Sequence, residues 1–359
     1  MKRTGLLNVL STFIVILAGL LIGLIVLLVS NADVAFQAFW TMISFGARTM
    51  RNFGDVLMNA IPIILTGLSV TFAFKTGLFN IGAAGQFAFG GFVAIFIGVE
   101  FTFLPPALRI ICSILGAALA GAMWGAIPGL LKAYRNVHEV ITSIMTNYIA
   151  MYLISYLIRN TIFDLHRTTT LDMPSDSYLP NLGLGRIFRE AGIVGYVQSS
   201  VDLGLILAVL LAIAVYVILD KTTFGYELKA CGFNKDAAKY AGINQNKNIV
   251  FSFLICGAIA GIGGALFFMN ARGVPMTAMP VLLPQGFTGI SVAFLGLTNP
   301  IGVIFSGIFV AYLFLGGTQL QPAFSLDFVT IIISVIIYFC AFVLVVKNNL
   351  GRLFSKRKR

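Results

Sequence analysis

The feature that most constrains this chain is a succession of apolar runs, many about 20 residues long, the length of helix that crosses a bilayer core. They fall at roughly 6–30, 56–74, 82–103, 107–131, 139–158, 201–219, 248–269, 284–298, 300–317 and 327–346. Lipid cannot hydrogen-bond a backbone, so only helices or closed barrels can cross it. Barrel strands alternate in polarity, whereas these runs are apolar on all sides, which predicts helices. The chain therefore reads as an all-α polytopic membrane protein with about ten transmembrane segments. The eighth run is short and is followed by Asn299-Pro300, so a count of eight, with two segments not fully crossing, is the alternative. The first run follows Lys2 and Arg3 and is longer than the apolar core of a signal peptide, which predicts a retained spanning helix.

Charge gives the expected orientation. Only 10% of residues are charged, against about a quarter in soluble domains. The net charge of +11 comes from basic residues between the runs and at the C-terminus, a pattern that sets topology rather than forming a nucleic-acid groove. With both termini cytoplasmic, all eleven lysines lie inside, and 16 basic residues fall inside against 8 outside. The whole of 1–359 then reads as one transmembrane domain, with an irregular extracellular loop at 159–200 and a cytoplasmic loop at 220–247. Residues 31–55 form a shorter outer connection with some helical character. The four cysteines are scattered and His138 and His166 stand apart, so neither a metal site nor a catalytic set is expected.

The cytoplasmic loop carries the clearest local signals. Asn234 can cap a helix by accepting from the helix's first backbone N–H groups, and Asp236 lies in the first turn, where negative charge suits the helix dipole. Gly242 can adopt the left-handed conformation that ends a helix. A helix of about two turns is predicted, too short to be stable alone. It either rests on its own subunit or docks in a groove of another protein, for which Ala237, Ala238 and Ala241 give it a slim profile.

The block from Gly225 to Ile243 resembles the coupling loop of bacterial ABC-importer permeases. Three further blocks resemble the simple-sugar and nucleoside branch of that family, within the branched-chain amino acid and ribose permease superfamily. They are Thr76 to Gln86, His138 to Ala150, and Gly286 to Gly296 followed by Asn299-Pro300. Leu78-Phe79-Asn80-Ile81-Gly82 stands where ribose-type permeases usually carry Asp-Leu-Ser-Val-Gly, which places nucleosides before simple sugars as expected cargo. The resemblance implies a non-catalytic subunit that forms the pathway in a cell membrane, coupled through Asn234, Asp236, Ala237, Ala238, Tyr240, Ala241 and Gly242 to a separate ABC ATPase. ATP and Mg would be bound by that ATPase, since this chain lacks the glycine-rich phosphate loop. It also implies a second permease subunit, with a heterodimer favoured over a homodimer, and an extracytoplasmic substrate-binding lipoprotein.

Polar residues within the runs are the remaining candidates, because polar groups in a bilayer are costly unless paired or hydrated. Asn80, Gln86, Thr146 and Asn147 either satisfy backbone groups freed by the glycine turn or line the pathway. Asn59 could satisfy a carbonyl freed by Pro62, and Glu139 could cap its helix or pair with Arg135 or His138. An ion-coupled transporter would place ionisable groups near the membrane midplane. Here Asp55, Glu100, Glu139, Asp220 and Asp327 all fall near predicted helix ends, against that reading.

Overall fold

A computed structural model describes residues 2–191, 196–321, 323–340, 342 and 346. The basic tail from Lys347 onward lies outside the described residues. The chain begins with six helices: α1 (Lys2–Ser30), α2 (Ala32–Arg48), α3 (Met50–Lys75), α4 (Ala83–Glu100), α5 (Pro106–Arg135) and α6 (Glu139–Asn160). Two small antiparallel hairpins follow, β1 (Phe163–Asp164) with β2 (Thr169–Thr170) and β3 (Arg189–Ala191) with β4 (Tyr196–Gln198). Between them lie a 3₁₀ turn at Ser175–Ser177 and the short α7 (Leu184–Ile187). The remainder is α8 (Gly204–Lys221), α9 (Thr223–Phe233), α10 (Lys235–Tyr240), α11 (Gln245–Phe268), α12 (Pro284–Leu295), α13 (Pro300–Thr318) and α14 (Leu326–Cys340).

Among the described residues, eight helices are long and apolar enough to span a bilayer: α1, α3 to α6, α8, α11 and α13. With 12 residues, α12 is about 18 Å long, well short of the hydrocarbon thickness. Residues 31–55 hold a complete helix, α2, and the 159–200 loop contains short strands as well as irregular turns. One face carries Lys75, Lys132 and the α9–α10 segment, and is called the lysine-bearing face below; the hairpins lie on the opposite face.

At the centre stands α3, in which every residue from Ala60 to Ala73 is buried. Helices α4, α8, α11, α12 and α13 pack around it. Apolar side chains gain little by leaving lipid for one another, so close backbone packing must hold such helices together. The most extensive pairing joins α5 to α11, where a methyl group on Gly121 would run into the Gly257 carbonyl and one on Gly257 into that of Gly121. Gly121, Gly125 and Gly129, spaced four apart on α5, thus all serve packing within the chain, against Gly257 and Phe253 of α11.

Ion pairs tie the loops to the bundle. Buried Arg109 at the start of α5 pairs with Asp176 of the 3₁₀ turn. Glu139 pairs with Lys132 across the α5–α6 connection at 2.8 Å, rather than with Arg135 or His138. The His138 ring instead caps α6 by accepting from the Val140 N–H. Asn59 donates to the Asp55 carbonyl at 2.7 Å, and not to the carbonyl freed by Pro62, which lies one residue before Asn59.

Candidate functional site

The lysine-bearing face presents an elbow formed by α9 and α10. Thr222 starts α9 by accepting from the Gly225 N–H at 3.1 Å, and Lys229 reaches back to Asp220 at 2.9 Å. Buried Leu228 and Cys231 turn α9 inward. Asn248 of α11 donates to Glu227 at 3.3 Å, holding α9 to the bundle. On its other side Gly232 lies against Gly77, whose φ of +73° makes the sharp turn after α3. A methyl group at either glycine would strike the other strand of backbone, so this contact requires both.

α10 follows immediately. The Asn234 side-chain oxygen accepts from the N–H groups of Asp236 and Ala237, each at 3.0 Å. Gly242, at φ +80°, ends the helix with its N–H bonded to the Lys239 carbonyl. The helix proper is six residues, shorter than the two turns expected. Ala238 is buried against the chain itself, while Asp236, Ala237, Lys239 and Ala241 are exposed. The slim outward profile therefore rests on Ala237 and Ala241. Two aromatic rings stand bare on either side, Phe233 at 90% exposure and Tyr240 at 94%. Phe233 was not singled out by sequence: only the bend at Asn234 turns it outward. Beneath α10, an open groove of about 670 Å³ runs between Glu227, Gly242, Asn244, Lys247 and Phe251.

The four polar residues considered for the pathway lie in the interior. Asn80 and Gln86 exchange amide hydrogen bonds at 2.8 and 3.1 Å, and Asn80 also donates to Ser69 at 3.1 Å. Asn147 accepts from the Gly85 N–H at 2.9 Å and donates to the Ile81 carbonyl at 3.0 Å. Thr146 donates to the Ser143 carbonyl, and its own carbonyl accepts from the Trp124 indole at 3.2 Å. These groups satisfy one another and the backbone of the turn at 76–82, fastening α3, α4 and α6 together. Of the four, Asn147 alone also borders a small, partly open cavity of about 20 Å³ beside Gly85 and Ser155.

A third polar cluster lies on the opposite face. Asp55 accepts from Ser199 at 2.8 Å and from Arg272 at 3.1 Å, joining the start of α3 to two loops. Nearby Asp202 is fully buried, with one oxygen accepting from the Gly204 N–H at 2.8 Å and the other without a partner. Burial pushes its carboxyl up to about 6. Nothing in the spacing of the sequence marks this residue. Among the described residues no group of His, Cys, Asp or Glu is arranged to hold a metal ion.

Together the eight apolar helices, the buried polar knot at the 76–82 turn and the solvent-facing elbow define a multi-pass membrane protein of the permease class. The chain belongs to the family described as branched-chain amino acid transport system / permease component, whose pattern matches residues 52–346. It is 36% identical over 353 residues to the guanosine ABC transporter permease protein NupP of Bacillus subtilis, covering 97% of each chain. It is 30% identical over 340 residues to the nucleoside ABC transporter permease protein NupB of Lactococcus lactis, covering 93% of this chain and 91% of that one. The glucose ABC transporter permease protein TsgB13 of Haloferax volcanii is 33% identical over 331 residues, covering 90% and 84%. No solved structure matches.

Proposed function

We propose that this chain is the membrane-spanning subunit of an ATP-driven nucleoside importer, with its lysine-bearing face in the cytoplasm. The observation that carries the reading is the α9–α10 elbow: a capped helix projecting between two bare aromatic rings on the face where basic residues collect. A helix that narrow, with a bare ring at each end, suits insertion into a groove of a partner. The partner is an ABC ATPase, which binds the ATP and Mg and supplies the drive, so this chain catalyses no reaction. Nucleosides rather than sugars are proposed as cargo because NupP and NupB, named for guanosine and nucleosides, match along nearly the whole chain. A simple sugar is the second reading, favoured by the similarity to TsgB13. An extracytoplasmic lipoprotein delivers the solute on the opposite face, and a second, different permease completes the channel.

The test is reconstitution with the ATPase, the second permease and the binding protein. Guanosine and uridine should stimulate ATP hydrolysis and accumulate in vesicles, while glucose should do neither; the reverse preference would replace the nucleoside reading. Within that complex, Ala237→Trp and Ala241→Trp should lower solute-stimulated ATP hydrolysis by about tenfold or more, equal to the loss of about 1.4 kcal/mol of contact. Both positions are exposed, so the chain itself should fold normally. Full coupling in both variants would show that the ATPase docks elsewhere.

A further inference from the structure

The outward face of α6 exposes Ile141, Met145 and Ile149 but also a column of tyrosines, which the outward faces of α5 and α8 lack along their middles. Along the middle of α5 the exposed residues are Leu115, Leu119, Met123 and Ile127, and along α8 they are Ile206, Leu210, Ile213 and Val217. On α6, Tyr148, Tyr152 and Tyr156 stand four residues apart, exposed by 48, 62 and 64%. Their hydroxyls meet no protein partner among the described residues. Tyrosine belongs in the headgroup belt of a membrane, and Tyr156, one turn from the end of α6, suits that place. Tyr148 lies nine residues into α6 from Glu139, about 14 Å, and so sits near the middle of the span.

A second observation concerns the backbone beside this face. After Ala278, whose carbonyl accepts from Ser155 of α6, the chain runs without regular structure to Pro284. Its end is deep: Gly286 lies against Ala84, and Thr66, well inside α3, donates to the Gln285 carbonyl at 3.0 Å. The segment passes along α6 from Ser155 to the level of Asn147, a drop of eight residues or about 12 Å. Met279 and Val281 are more than half exposed. The N–H groups of Val281, Leu282 and Leu283 find no acceptor among the described residues. Lipid cannot meet such groups, and irregular backbone at this depth persists only where protein buries it or water reaches it. In the single chain Met279 to Val281 are open, so either water or the second permease must meet this backbone, and the unpartnered phenol hydroxyls beside it favour water.

From these two observations we infer that the tyrosine column of α6 and the 279–284 segment form this chain's wall of a hydrated solute pathway. The inference rests on the permease reading and gives that reading its lining residues. The chemistry suits a nucleoside: phenol rings offer flat faces to a base, as aromatic platforms do for single-stranded nucleic acid, while the hydroxyls and free N–H groups suit ribose and base oxygens. Weak contacts repeated at intervals of one turn would let the solute advance without being trapped. The amides of Asn80 and Gln86, already spent on each other, take no part.

The test needs two measurements on the assembled transporter in lipid vesicles or nanodiscs. In the first, Tyr148→Cys, Tyr152→Cys and Val281→Cys are challenged with a charged, membrane-impermeant thiosulfonate, with Leu119→Cys and Leu210→Cys as lipid-facing controls. In a background with Cys112→Ala and Cys340→Ala, which leaves only the buried Cys231 and Cys256, the three pathway positions should react at least about tenfold faster than the controls and the unsubstituted background. Guanosine with the binding protein should slow the reaction at Tyr148→Cys and Tyr152→Cys. In the second, which needs no substitution, amide exchange is followed in a peptide covering 279–285; the N–H groups of Val281 to Leu283 should exchange within seconds. Thiols as inert as the controls, or amides protected for hours, in a complex that still imports guanosine would overturn the lining while leaving the importer intact. Reactive thiols in a complex that imports only another solute would support the lining and remove the nucleoside.

Discussion

Asn234 and Gln86 show how differently two amide side chains serve one chain. Asn234 sits at the surface, and its oxygen holds two backbone N–H groups of a helix too short to persist unaided. Asn234→Ala should cost about 1 kcal/mol of α10 stability and reduce coupling without lowering the thermal midpoint of the bundle. Gln86 is locked to Asn80 in the buried interior. Gln86→Ala leaves the Asn80 side-chain oxygen without its donor and should cost roughly 1–3 kcal/mol, read as a lower thermal midpoint in detergent with solute preference unchanged. Asp202 gives a pH-dependent case. Its carboxyl rises from 3.8 to about 6 in the fold, so the folded state prefers the neutral form. That preference stabilises fully below about pH 4 and is lost as pH rises through 6, a swing of about 3 kcal/mol. Asp202→Asn should therefore raise the thermal midpoint relative to the parent more at pH 8 than at pH 5. The residue types at Asn234 and Gly242 announced their cap and stop in the sequence, because those roles are local. The inward turn of Ala238, the outward turn of Phe233 and the burial of Asp202 depend on what lies across the chain, and no local pattern encodes them.

At the level of helices, the long apolar runs located nearly every span because a bilayer imposes one length on all of them. Hairpins β1–β2 and β3–β4 were hidden because two or three residues of strand leave no periodicity to read. The role of α12 was only half legible. Its shortness showed in the sequence, but its mid-membrane start appears only through its contacts with Ala84 and Thr66. Glycine spacing needed the structure to name its partner: four-residue spacing reads as close helix packing, and only the fold shows that Gly121 and Gly257 face each other. Gly257→Leu should separate α5 from α11 and abolish folding or lower the thermal midpoint sharply, since overpacking alone costs about 1–3 kcal/mol. Fluorescence size-exclusion after a heat ramp would read this directly. Gly77→Ala combines a positive φ with a blocked contact to Gly232. It should loosen α9 from the turn at 76–82, measured as faster amide exchange across 223–233. An unchanged exchange rate would mean that α9 is held by α11 alone.

Across the whole molecule, two helices begin at nearly the same depth and depart in opposite directions. Ala84 opens α4, which climbs toward the hairpin face, and Gly286 opens α12, which descends toward the lysine-bearing face. The 76–82 turn that leads into α4 is the same one on which α9 rests through Gly232. Where Gly286 meets Ala84 there is no slack for even one methyl group. A joint with no play cannot absorb displacement, so on the importer reading a push at the elbow would be passed on to α12. The molecule would then work as a seesaw with its pivot in mid-bilayer, stroke at one rim becoming stroke at the other.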